Sequence, residues 1–390
     1  MKLLIYSHFF VPSIGGVETV VLTLARGLAE LRAPDGSRQC EVTVVTQTPV
    51  GAFDDHELPF RVVRLSGLRR LRQLISASNI VHVAGPALAP LIFGFLARKP
   101  VVVEHHGFQT ICPNGQLLIE PPGTPCPGHF MAKRHRECLR CNAGQGWLTS
   151  AKLWLLTFVR RFLCRRVSVN ITPTQWLAGL LKLPRIAVIP HGLEPTSALV
   201  RSVRSSTPPV IAFQGRLVTT KGVRVLLEAA RILREQNRSF ELLIIGDGPE
   251  RTALEQFTRE MKLADRVQFT GRLVANQVEA ALAQASVVVV PSLGGEVFGL
   301  VVAENMQRGL PIVTSDLGAF AEVIGEGGIT FCTGDAFDLA AKLIQFFDDS
   351  ALAARLSIAA RQRALDVFCQ HRMIEDHFRL YEKLLRSLPQ

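Results

Sequence analysis

What this sequence lacks narrows its function first. No Asp-x-Asp pair occurs anywhere in its 390 residues, so nothing indicates a divalent ion clamped onto phosphates by that motif. Neither Gly15-Gly16 nor the Gly246-Asp247-Gly248 turn carries the third glycine of a Gly-x-Gly-x-x-Gly fingerprint, which argues against a nicotinamide-dependent dehydrogenase. Long apolar runs are missing too. The longest uncharged window, Gln73 to Ala97, contains Asn79, Pro86 and Pro90, and parses as a strand, a loop and a short helix rather than a membrane span. The opening MKLLIY meets Ser7, His8, Pro12 and Gly15-Gly16 too soon to be a secretory signal, and reads as a first strand. No tandem repeat or low-complexity tract is apparent. Acids are nearly absent from Pro121 to Leu193, where Glu137 stands alone against eleven Lys and Arg; that stretch holds nearly the whole formal charge of +11.

What is present predicts an α/β chain of two doubly wound domains. A hydrophobic content of 48% and a mean hydropathy of +0.23 suffice for two cores. In the first half, LLIYS, EVTVVTQ, FRVVRLS, IVHVAG, PVVVEHH and IAVIPHG read as strands, with a helix from about Val17 to Leu31. Ligands in parallel sheets gather at the carboxyl ends of strands, which places Gly15-Gly16, Gly85, His106 and His191-Gly192 on one rim. The pattern dissolves at Thr196 to Pro209, so the expected division is residues 1–195, a hinge at 196–209, a second domain at 210–369, and a final helix over 370–390 that returns to the first domain. The second domain alternates VIAFQGR, a helix over Gly222–Glu235, ELLIIGDG, a helix near Glu250–Met261, VQFTG and VVVV.

The chain is organised around VVVVPSLGGEVFGLVVAENMQRGLPIVT, Val287 to Thr314. A short β-branched run ends at Pro291, loop glycines follow, and a helix is expected from about Phe298 to Gln307. Amides at Phe298, Gly299 and Leu300 would then face an anion, with Glu304 about 9 Å further along the axis, a spacing suited to a phosphate and a ribose diol. An isolated Glu pair would more simply be solvated charge on a surface helix. Arg216 and Lys221 flank a strand-to-helix turn where two cations can neutralise a departing diphosphate.

These segments together resemble a known family. The Glu-x7-Glu of EVFGLVVAE, its glycines, the following GLPIVTSD, and GRLVTTKG are similar to the signature of retaining, nucleotide-sugar-dependent glycosyltransferases of the GT-B fold, family 4 (group 1), and the resemblance runs nearly end to end. It implies two Rossmann-like domains facing a cleft. It also implies a UDP- or GDP-sugar donor, no cofactor for catalysis, and retention of the anomeric configuration. The site it implies is His106, Glu296, Arg216 and Lys221 at the reacting centre, with Gly15, Gly16, Phe298, Gly299, Leu300 and Glu304 on the donor. HHGFQTICP matches the family's strand-end histidine at His106, near the donor sugar, whereas a structural histidine fits the sequence alone equally well. SDLGAFAEVIGEGG resembles the loop bordering the sugar, with Glu322 a weaker candidate.

Two features stand outside that core. Cys112, Cys126, Cys138 and Cys141 fall in one Pro- and Gly-rich excursion over 107–146, which suits a structural zinc, with disulfides or unlinked thiols as alternatives. A subset of related transferases carries a similar loop. WLTSAKLWLLTFVRRFLCRR mixes Trp147, Trp154, Leu155, Phe158 and Phe162 with Lys152 and two Arg pairs, as expected of a helix on an anionic bilayer, or else of a solvated basic face over a buried helix. No nucleic-acid motif accompanies it. The expectation is a cytoplasmic enzyme, peripheral at the inner face of a membrane, that glycosylates a lipid-linked or glycan acceptor. The alternatives are a nucleotide-sugar 2-epimerase and a non-catalytic, zinc-stabilised membrane adaptor.

Overall fold

The computed structural model describes residues 1–51, 53–120, 123–195 and 208–387. The hinge expected at 196–209 therefore falls, over 196–207, outside the described residues. In chain order the first half supplies strands β1 (Lys2–Ser7), β2 (Glu41–Thr46), β3 (Arg61–Arg64), β4 (Ile80–Ala84) and β5 (Val101–Glu104), the short strands β6 (Leu118–Ile119) and β7 (Thr124–Pro125), then β8 (Val169–Thr172) and β9 (Ile186–Val188). Its helices are α1 (Gly16–Glu30), α2 (Leu68–Ala77), α3 (Leu88–Leu96), α4 (His135–Cys141), α5 (Trp147–Cys164) and α6 (Gln175–Leu181).

Two compact units result, the first comprising Met1–Gly115, Gly128–Glu194 and Phe368–Gln390. Its sheet is parallel throughout, in the order β3-β2-β1-β4-β5-β8-β9. Strands β4 and β5 are buried at every position, as befits Val- and Ile-rich strands covered on both faces. Strand β8, VNIT, escaped the sequence reading because it is only four residues long and carries Asn170, a residue depleted from strands. That asparagine is buried and satisfied: its amide donates to the carbonyls of Cys164 and Pro184.

The second unit comprises Gln116–Pro127 and Pro195–Val367. It contains β10 (Val210–Gln214), β11 (Glu241–Ile245), β12 (Val267–Gly271), β13 (Val287–Val290), β14 (Ile312–Ser315) and β15 (Gly328–Phe331), in the order β12-β11-β10-β13-β14-β15. The helices are α7 (Val223–Glu235), α8 (Arg251–Glu260), α9 (Ala275–Leu282), α10 (Leu300–Gln307), α11 (Gly318–Ile324), α12 (Ala336–Asp348) and α13 (Ser350–Val367). The core joins Ile211, Phe213, Leu242, Ile244, Val287 and Val289 of the strands to Leu226, Leu227 and Leu233 of α7.

Three expectations change. The excursion 107–146 is not confined to the first unit: Gln116–Pro127 belongs to the second, because Gly295 N–H donates to Gln116 O at 2.7 Å and Leu118 packs on Gly294. Helix α10 begins at Leu300 rather than Phe298, because Gly299 takes φ +89° at its start and the Phe298 side chain is buried in the core. SDLGAFAEVI is largely helix α11, not loop. The last helix, α14 (Gln370–Arg386), lies against α1, where Gly27 leaves room for Ile374.

Candidate active site

In the second unit the loop after β10 and the loop after β13 are built into one another. Leu293 N–H donates to Thr220 O at 2.7 Å, and a Cβ on Gly222, which sits at φ +66°, would lie 1.9 Å from Pro291 O. Only glycine allows that approach without displacing backbone. On the other side Leu217 N–H donates to Asp247 O and Glu250 N–H to Leu217 O, while Thr219 Oγ1 donates to Glu250 Oε1 at 2.6 Å. The three loops at the carboxyl ends of β10, β11 and β13 thus form one frame.

Within it, Lys221 Nζ donates to Glu296 Oε1, both side chains being partly buried at 28% and 12% exposure. The sequence reading gave these residues separate ligand contacts and missed their partnership. Ser292 Oγ adds a hydrogen bond to the same carboxylate oxygen at 3.2 Å, and Ser315 Oγ anchors Ser292 O at 2.7 Å. Arg216 is exposed, and among the described residues its guanidinium has no ion-pair partner. Such a cation is available to an anionic ligand.

Helix α10 presents its N-terminus beside this frame in sequence. Val302 N–H already bonds Gly299 O, so the amides left to a ligand are those at the helix start, Leu300 and Val301, one residue beyond the expected set. Glu304 lies one turn further on. Burial pushes its carboxyl above the usual range, opposed by the Arg308 guanidinium and reinforced by the Glu279 charge. Arg308 itself is held by Glu279, with Nε 3.0 Å from Oε1 and 3.1 Å from Oε2, so it is not free to neutralise Glu304 fully.

The first unit brings together a group of which the sequence placed only His106 and His191 on a common rim; Glu104, His82 and His377 were not anticipated. Glu104, the last residue of β5, is fully buried among four imidazoles: His82 Nε2 at 3.1 Å, His191 Nδ1 at 3.5 Å, His106 Nε2 at 3.6 Å and His377 Nε2 at 3.8 Å. Tyr381 OH bonds His82 Nδ1 at 2.8 Å, which carries the network onto α14. Burial pushes the Glu104 carboxyl up, but the His106 charge and the facing imidazoles of His106, His377 and His82 outweigh it and hold the group well below the usual carboxylate range. Burial pushes His191 down to about 3 and His105 to about 4, the latter bonded through Nε2 to Asn170 Oδ1 at 2.9 Å. His106 thus turns inward, its side chain only 6% exposed. The available signal was an acid closing an apolar strand immediately before two histidines.

The remaining candidates are spread through the fold. Gly15 has extended backbone and precedes α1, where Thr19 N–H and Oγ1 both bond its carbonyl; Gly16 opens the helix. Cys112 Sγ donates to Asn114 Oδ1 at 2.9 Å, and Asn114 Nδ2 donates to Cys141 Sγ at 3.5 Å, so one side-chain amide links two of the four cysteines. Cys138 is buried in α4; Cys126 lies in the segment assigned to the second unit. Helix α5 buries Ser150, Thr157 and Cys164 and exposes Trp147, Leu148, Leu155 and Phe162, with Arg166 stacked 3.5 Å over the Phe162 ring. Among the described residues no helix is long and apolar enough to cross a membrane.

Two parallel-sheet units with a cationic loop frame at the strand ends define a Rossmann-like, two-domain class. Comparison with known proteins names the family. Glycosyltransferase Family 4 matches residues 14–197 and Glycosyl transferases group 1 matches residues 198–363. The chain is 33% identical to glycogen synthase of Mycobacterium tuberculosis over 94% of its length and 91% of that protein's. It is 29% identical to the 2-deoxystreptamine glucosyltransferase of Streptomyces kanamyceticus over 95% and 99%. Among solved structures, Anabaena HepE in complex with UDP-glucose covers all of both chains with a TM-score of 0.72 at 20% identity, a likeness of fold. The chain belongs to the group 1, family 4 glycosyltransferases, and its fold is GT-B.

Proposed function

We propose that this glycosyltransferase moves a hexose from a UDP- or GDP-sugar to a hydroxyl acceptor with retention, and that the diphosphate is held by protein cations and helix amides rather than by a divalent ion. The observation that carries this reading is the Lys221–Glu296 pair on interlocked loops, with Arg216, which has no ion-pair partner among the described residues, on the same loop as Lys221. In the ground state Glu296 fixes the ammonium. With donor present, Lys221 and Arg216 face the diphosphate, and Glu296 accepts a sugar hydroxyl while still orienting Lys221. Charge on the departing diphosphate then meets fixed cations and the α10 amides, so leaving-group stabilisation is the main contribution to rate. Glu304 binds the ribose diol. His106 directs Nε2 inward, which leaves Nδ1 as the atom for a sugar hydroxyl, and Gly15-Gly16 allows close backbone approach.

The acceptor in this reading is a lipid-linked or membrane-borne glycan, supported by the exposed apolar and basic side chains of α5; the enzyme then works peripherally at the cytoplasmic face of an anionic membrane. A structural zinc on Cys112, Cys126, Cys138 and Cys141 rests on their spacing, and metal analysis of the Cys138→Ser variant tests it. The transferase reading is tested with sugar-labelled UDP- and GDP-sugars, without added metal, in the presence of membrane extract. Label entering an extractable acceptor with the donor's anomeric configuration is expected. Label isomerised on the nucleotide without transfer would replace the reading with an epimerase.

A further inference from the structure

The buried cluster at the end of β5, which shares His106 with the proposed donor contacts, has the composition of a metal centre. We propose that Glu104, His106 and His191 bind a divalent transition-metal ion in the first unit, remote in role from the phosphate clamp.

The donor set is two imidazoles and one carboxylate, the combination found at three-ligand zinc and non-haem iron sites. One ligand atom from each of the three lies within 4.8 Å of the others, and among the described residues no other group of His, Cys, Asp and Glu is identified with that property. Glu104 Oε1 and His106 Nε2 are enclosed yet make no hydrogen bond. A buried carboxylate oxygen and a buried ring nitrogen left without partners are costly unless something satisfies both.

Separation distinguishes a cation from a proton. His191 Nδ1 lies 3.5 Å from Glu104 Oε1 and His106 Nε2 lies 3.6 Å from Oε2, both beyond the usual 2.7–3.2 Å hydrogen-bond range. An ion with bonds of about 2.0–2.1 Å in tetrahedral geometry sets its ligand atoms about 3.4 Å apart. The second carboxylate oxygen is already committed. Oε2 takes His82 Nε2 at 3.1 Å, and His82 Nδ1 pairs with Tyr381 OH at 2.8 Å. That chain fixes the carboxylate and leaves Oε1 for the ion, as outer-shell partners do at metal sites.

The ion ties three segments together: the end of β5, the turn after it, and the segment after β9, where Gly192 N–H bonds Met373 Sδ of α14 at 3.0 Å. With the ion on Nε2 of His106, the ring proton resides on Nδ1, the atom assigned above to a sugar hydroxyl. Binding of the ion is nonetheless measurable without any transferase assay.

The experiment uses full-length protein without a histidine tag, stripped of metal and titrated with Co2+ while visible absorption is recorded. The cysteine loop is a second candidate site, so the Cys138→Ser, Cys141→Ser background is used, and thiolate charge-transfer bands report any residual sulfur ligation. One equivalent of Co2+ with nitrogen and oxygen ligand bands is expected. His106→Ala and His191→Ala are expected to abolish these bands, and exposed His56→Ala to leave them unchanged. Tyr381→Phe, which loosens the outer shell, is expected to weaken binding about 10–100-fold. Circular dichroism of each variant separates loss of the site from loss of the fold. Absence of the bands in folded protein, or their persistence in both His106→Ala and His191→Ala, overturns the proposal.

Discussion

Lys221 and Glu296, 75 positions apart, are direct partners: the ammonium donates to Oε1 of a carboxylate that also accepts from Ser292. The pair couples the loop after β10 to the loop after β13, so the two residues act as a unit rather than as two independent ligand contacts. Lys221→Ala is expected to lower kcat by about 10²–10³-fold, the scale of losing one transition-state contact. Glu296→Gln is expected to lower it less. In a double-mutant cycle their effects should fall short of additive, since each single change already breaks the shared contact. Additive losses would show two separate roles.

Glu304 separates function from stability. Its folded pKa lies above the unfolded value, so ionising it costs stability; the penalty is absent below the unfolded pKa and complete above the folded one. Glu304→Gln is therefore expected to leave Tm unchanged or raised at pH 7 while raising the donor KM. In the wild type, donor affinity should weaken as pH falls through the raised pKa, an acid limb lying above the ordinary carboxylate range. Thermal melts and KM profiles across pH 4–8 check both halves, and the limb should vanish in the variant.

Gly222 tests the loop frame. A Cβ there meets Pro291 O at 1.9 Å with φ at +66°, so Gly222→Ala must shift backbone. A loss of at least about 1–3 kcal/mol in urea unfolding of the second unit is expected, with weakened donor binding. Gly36, also at positive φ but with nothing within 4 Å of its Cβ, serves as the control for strain alone.

The fold was largely legible in the sequence, and the donor loops were too, for different physical reasons. Buried parallel strands announce themselves as β-branched runs, and VVVV, VVVE and ELLII all stand where expected. VNIT hid because Asn170 is satisfied by hydrogen bonds to Pro184 and His105 that no local pattern displays. The start of α10 was misplaced by two residues because Phe298 looks helical, whereas the positive φ of Gly299 ends the loop only there. Lys221–Glu296 was invisible as a pair since neither residue's neighbours reveal which strand ends adjoin. The Glu104 cluster draws on β4, β5, the segment after β9, and α14; strand ends alone put His106 and His191 on one rim, whereas His82 and His377 look scattered until the sheet and α14 assemble them.

Helix α5 supports a membrane test. Leu155 and Phe162 are 58% and 54% exposed, flanked by Lys152, Arg165 and Arg166. Leu155→Ser with Phe162→Ser is expected to release the protein from anionic vesicles while leaving its melting temperature within about 1–2 °C, as befits surface positions. Binding in the parent should weaken with salt. Equal sedimentation of parent and variant would assign α5 another partner.

The decisive measurement is nucleoside diphosphate release from UDP- and GDP-sugars, with and without membrane extract, by the wild type and by Arg216→Ala/Lys221→Ala, both confirmed folded by circular dichroism. Extract-dependent release by the wild type, falling by about 10³-fold or more in the double variant, is the predicted result. Wild-type rates in the double variant would contradict it.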